Sequence, residues 1–242
     1  MLFLLIVCSS CKVNHFVRVD SESYTVENSL NVPEDSAVLA LVSPYRRQLE
    51  QGMNQIIGSI AMDLEEATGN QTESLLGNFV AEAFQVKAVD YTKGKVDFSV
   101  VNSGGLRISM LPKGPIKKSL IYELLPFENI LVILELDGAT VRTFVNHMRD
   151  SGVWPVSEGL YYQITQSGVG EIRINGALLE ADKVYHVAMP DYIANGGGDS
   201  DFLIDIPQLS TQKLLRDVVI EFIQESPGPV GAEITGRIEF KN

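Results

Sequence analysis

Three short segments of this 242-residue chain hold residue types from which a ligand site could be built. The first, Asn102 to Arg107, reads NSGGLR and follows the apolar run Val96 to Val101. Gly104 and Gly105 let backbone N–H groups approach a ligand closely. Asn102 adds an amide, and Arg107 a guanidinium fork suited to carboxylate, phosphate or sugar hydroxyls. A Gly-Gly pair after a strand is also what a plain turn needs. The second segment, Pro126 to Asn129, reads PFEN and precedes another apolar run. Phe127 on a Pro-initiated turn suits a stacking platform or a plug in the core. The third, Asp191 to Asp201, reads DYIANGGGDSD. Three consecutive glycines pack no core, so the backbone there is exposed or lies close against something. Tyr192 could stack, and Asp199 or Asp201 could accept hydrogen bonds from ligand hydroxyls. Alternate aspartates also suit Ca²⁺, but the twelfth-position Glu of an EF-hand is lacking.

Other chemistries find little support. The three histidines, His15, His147 and His186, form no HxH or HExxH pair, whereas a transition-metal site needs convergent ligands. No GxSxG elbow and no P-loop occurs. The sequence thus offers no convincing catalytic centre of its own. Its formal charge of −12 and pI near 4.7 disfavour nucleic acid and anionic membrane surfaces as partners. A few arginines in a cleft would still serve a small anion.

The segment 1–11, MLFLLIVCSSC, stands apart. Leu2 to Val7 is too short to span a bilayer, which takes about 20 residues. It reads as the apolar region of a secretory signal or as a frayed apolar terminus. Ser9 and Ser10 before Cys11 resemble a bacterial lipoprotein signal, with Cys11 as the lipidated residue. That expectation makes the protein exported, periplasmic or anchored to the outer membrane, and touching the membrane only through the lipid. Both cysteines, Cys8 and Cys11, fall in this segment, so redox chemistry and Cys-based metal sites are not expected beyond it. Residues 12–35 read as a polar tether and 36–242 as one domain.

The elements that must position the three segments follow from periodicity. Pro44 at a first helical position, then Tyr45, Leu49, Met53, Ile56 and Ile60, predict one helical face. Further helices are expected from about 72 to 84, from 139 to 150, and from 211 to 224 with Ser210 or Thr211 as cap. Strands are expected at 96–101, 130–136, 160–165, 171–174, 183–189 and 234–240. Asn175-Gly176 is a hairpin signal, because both positions tolerate positive φ. Helices interspersed with hairpin-connected strands predict an α+β domain.

Five motifs in order, spread over about residues 44 to 240, resemble the C-terminal, substrate-binding domain of the 5′-nucleotidase family. They are ESLLGNFVAEAF (73–84), NSGGLR (102–107), the stretch 114–141 containing PFEN, VYHVAMPDYIANGGGDSDF (184–202) and GRIEF (236–240). The resemblance implies a four-layer α/β/β/α domain that binds the nucleoside part of a nucleotide. It implies that Phe127 and Tyr192 sandwich the base and that Asn102 and Arg107 contact the ligand. Asp199 would then receive the ribose hydroxyls, while Asn195 and Gly197 line the same loop. Two divalent metals and the attacking water would come from a separate metallophosphatase chain. The rival expectations are a non-catalytic nucleoside-binding lipoprotein and a degraded interaction module. Departures from the family pattern are Glu128 in place of a glycine, an added glycine in the third segment, and Lys87 as the nearest cation where a further Arg is common.

Overall fold

The computed structural model describes residues 35–241. Cys11, the expected signal segment and all of the expected tether except Asp35 lie outside the described residues. Residues up to Pro44 form a unit apart from the domain Tyr45–Asn242. In chain order the elements are α1 (Ser36–Met53), β1 (Ile56–Ile60), β2 (Leu64–Glu65), α2 (Leu75–Thr92), β3 (Phe98–Ser99), β4 (Met110–Leu111), β5 (Gly114–Lys117) and α3 (Lys118–Leu124). There follow β6 (Ile130–Asp137), α4 (Gly138–Asp150), β7 (Leu160–Thr165), β8 (Gly168–Ile174), β9 (Ala177–Leu178) and β10 (Val184–Pro190). The chain closes with α5 (Asp191–Ala194), β11 (Gln208–Leu214), α6 (Leu215–Glu225) and β12 (Ile238–Phe240).

The central sheet has the order β11-β6-β10-β3, and a second sheet has β12-β7-β8-β9. Strand β6 shows why two cores form. Its side chains alternate between faces, as any strand's must. Leu131 and Ile133 enter a core shared with α2, α3 and α6. Val132, Leu134 and Leu136 enter another, shared with α4 and the second sheet. A strand buried on both faces reads as a continuous apolar run, which is how Ile130 to Leu136 appears in the sequence. The layered α+β class is the one expected.

Local signals explain several boundaries. The Ser74 hydroxyl accepts the Gly77 N–H at 2.9 Å and caps α2. The Asp137 carboxylate does the same for α4, accepting the Thr140 N–H at 2.7 Å. Asn175 and Gly176 take φ of 50° and 79° and turn β8 into β9.

Two expected helices are corrected. The first starts at Ser36, where Asp35 accepts the Ala37 N–H at 2.8 Å, so Pro44 lies inside it. It ends at Met53 with no residue buried, and Ile56 and Ile60 belong instead to β1, paired antiparallel with β5. Apolar residues four apart fit a short strand as well as a helix. Gly58 decides in favour of the strand, because a Cβ there would overlap Ile223 of α6. The other correction falls at 211–214. Thr211 donates its hydroxyl to the Leu131 carbonyl at 2.7 Å rather than capping a helix, so β11 runs on to Leu214. The seven-residue α3 adds a helix that periodicity does not predict.

Candidate functional site

Strand direction brings the three segments together. β6 runs antiparallel to β10, with Leu131 opposite Pro190. The turn that enters β6 and the turn that leaves β10 are therefore neighbours. β3 runs parallel to β10, so the NSGGLR loop leaves the sheet at the same end. β11 also ends there, with Leu214 opposite Ile130. Two hydrogen bonds hold the junction: the Asp191 side-chain Oδ1 accepts the Ile130 N–H at 3.1 Å, and the Leu215 N–H donates to the Asn129 carbonyl at 2.9 Å.

Two hollows that share Asn129 lie at this end, the first a depression with room for about one water and the second open to solvent. Asn102, Gly105, Phe127, Asn129 and Leu215 line the first. Asn129, Asp191, Tyr192, Asn195 and Gly197 line the second. Phe127 is 49% and Tyr192 45% exposed, and neither is paired with another aromatic ring among the described residues. Apolar rings left half in water are the expensive ones to leave uncovered.

Each expected residue has a definite place. Gly105 lies against Asn102, whose Oδ1 is 3.1 Å from where a Cβ would stand. Arg107 lies over the Phe127 ring, 5.9 Å from its centroid, and donates a long bond of 3.4 Å to the Gly104 carbonyl. Its charged fork is otherwise open to solvent. The Tyr192 ring rests on Gly197, and its hydroxyl accepts the Gly198 N–H at 3.1 Å. Asn195 accepts from Gln208 Nε2 at 2.9 Å. Asp199 takes a left-handed φ of 62° and lines neither hollow. The glycine run turns there toward α4, where His147 Nε2 donates to the Gly198 carbonyl at 2.8 Å and Trp154 backs Gly198. Asp201 places Oδ1 beside Gly196, which lines the second hollow, without lining it itself.

The departures also resolve. Glu128 pairs with Arg216 at 3.4 Å and lines neither hollow. Lys87 is buried between Glu225 at 2.7 Å and Asp90 at 3.2 Å, joining α2 to α6, and is not a cleft cation. The cation near Phe127 that sequence reasoning missed is Arg216, which donates to the Pro126 and Phe127 carbonyls. Nothing local in the sequence marks it, since it stands 89 residues beyond Phe127. Asp191, though it opens the third motif, likewise has no role that its sequence neighbours reveal.

A wider hollow lies elsewhere, between residues 65–75 and 234–238. One of its carboxylates, Glu73, is spent on Asn78 Nδ2 and the Ile238 N–H. Among the described residues no three His, Cys, Asp or Glu side chains cluster so as to hold a metal.

Comparison with known proteins gives the family and the fold. The family model for the 5′-nucleotidase C-terminal domain matches residues 54–204. A 5′-nucleotidase of Vibrio vulnificus (strain CMCP6) is 28% identical over 219 residues, which cover 87% of this chain and 38% of the relative. The crystal structure of a 5′-nucleotidase precursor from Thermus thermophilus aligns with a TM-score of 0.68 at 26% identity, over 87% of this chain and 44% of that one. The fold is shared as well with the NAD nucleotidase of Haemophilus influenzae, with a TM-score of 0.68 at 18% identity over 86% of this chain and 42% of that one. The chain spans less than half the length of these relatives. With the family model covering most of its residues, the chain belongs to the 5′-nucleotidase C-terminal domain family.

Proposed function

We propose that the two hollows form one cleft that holds the nucleoside part of a nucleotide. Phe127 and Tyr192 stack on the base, which needs no particular base because each has a π-face. Asn102 and Arg107 take the sugar and the near end of the phosphate through an amide and a guanidinium fork. Asn195 and Gly197 shape the Tyr192 side. Metals and water belong to a metallophosphatase partner, so this domain contributes by positioning the phosphate toward them. On the same reading the protein is an exported bacterial lipoprotein carried by Cys11, acting in nucleotide catabolism.

One observation carries the proposal: two half-exposed aromatic rings from sequence-distant turns stand at the same sheet end as Asn102 and Arg107. Glu128, the carboxylate next to Phe127, is paired with Arg216. Isothermal titration of the chain with adenosine and AMP tests the proposal. Saturable binding that weakens by about 1–3 kcal/mol in Phe127→Ala is expected. No heat at millimolar ligand, with the chain folded, would move the weight to an interaction role.

A further inference from the structure

We infer that Arg216 is the positioning residue of the Phe127 platform, holding the turn at the height a stacked ligand needs. The inference rests on the nucleoside reading for its consequence, but its physical content does not. Arg216 sits at the start of α6, far in sequence from the turn it serves. Its side chain is only 12% exposed. Nη1 donates to the carbonyls of Pro126 and Phe127, at 3.3 and 3.4 Å, and so grips the backbone on both sides of that peptide. Nη2 pairs with Glu128 at 3.4 Å. The guanidinium lies over the Tyr122 ring, 4.9 Å from its centroid.

Burial of this group is costly. Its Nε is buried with no acceptor among the described residues, and an unpaired buried donor is destabilising. An ammonium would neutralise Glu128 equally well. What only a planar fork supplies is simultaneous reach to two carbonyls and a carboxylate while stacked on an aromatic ring. The turn has few other anchors: Pro126, Phe127 and Glu128 are all exposed.

The test is backbone ¹⁵N relaxation of the full chain, reading order parameters at Phe127 and Glu128, alongside adenosine titration. The parent is expected near about 0.85, with Arg216→Ala and Arg216→Lys both falling toward about 0.6. Adenosine affinity should fall about tenfold in both variants, because the turn must then be ordered by the ligand. Glu128→Gln keeps the two carbonyl bonds and should stay close to the parent in both readings. Should Arg216→Ala fail to fold, the lysine variant alone decides. A lysine variant as rigid as the parent overturns the clamp, because charge alone would then suffice. An unmodified chain that binds no adenosine, yet loses turn order in Arg216→Lys, counts against the nucleoside reading and leaves the clamp standing.

Discussion

Tyr192 and Gly197 act as one feature. A Cβ on Gly197 would stand 2.5 Å from ring carbons of Tyr192 and from its carbonyl oxygen, so the ring rests where it does because the glycine has no side chain. Gly197→Ala should therefore turn the ring out of the cleft. Adenosine affinity is expected to fall as far as in Tyr192→Ala, with a stability loss of about 1–3 kcal/mol from overpacking. Titration and urea unfolding read the two effects separately, and an alanine variant that binds like the parent would detach the ring from ligand recognition. Arg107→Ala is the converse case. Its fork makes one long bond and lies over Phe127 in solvent, so the melting temperature should stay near that of the parent while AMP binding weakens. A fall in melting temperature instead would make Arg107 a structural residue. Phe127, Tyr192, Asn102 and Arg107 are legible in the sequence because each stands in a motif with turn chemistry of its own. Arg216 is not, because its partners exist only once β11 and β6 are paired.

At the scale of elements, the legible ones are those whose signals are local. Ser74, Asp137 and Asn175-Gly176 set their boundaries with bonds or dihedrals a few residues away. The misread ones, β1 and the end of β11, are settled by long-range contacts at Gly58 and Thr211. Asp97 is a tie of this long-range kind, at the opposite end of the central sheet from the cleft. Its carboxylate is almost wholly buried and accepts the His186 N–H at 2.9 Å and Asn175 Nδ2 at 3.2 Å, with Lys95 at 2.9 Å. Burial pushes its carboxyl up, but the His186 N–H and the Lys95 ammonium outweigh that and hold it below the usual carboxylate range. A carboxyl with a lower pKa folded than unfolded adds stability above its unfolded value, about 3.9. That contribution is lost as pH falls through the folded value. Asp97→Asn should thus cost about 1–3 kcal/mol near neutrality, and the gap to the parent should narrow below about pH 4. Urea midpoints across that range check it; a gap independent of pH would mean that the charge of Asp97 contributes nothing.

For the whole molecule, the question is which half of a reaction the chain can perform. The relatives it matches are more than twice as long as the part it aligns with, at 38% and 44% covered. What the described residues supply is two half-exposed aromatic rings, an amide and a guanidinium at one end of the central sheet. Hydrolysis of a phosphomonoester needs in addition a nucleophile and a means of stabilising charge on the phosphoryl oxygens, for which paired divalent ions are a common solution. If the chain positions and a partner reacts, its binding energy goes to the nucleoside end. Two consequences follow for the chain alone. Adenosine and AMP should bind within about tenfold of each other, since the phosphate lies mostly outside the cleft and the net charge of −12 opposes a dianion at long range. With AMP and added Mn²⁺ or Co²⁺, phosphate release should stay at the level of buffer. Adding a metallophosphatase domain should bring release that depends on Phe127 and Tyr192 in this chain. Release by the chain alone, abolished by chelation, would instead put the metal centre in its own residues and overturn the division of labour.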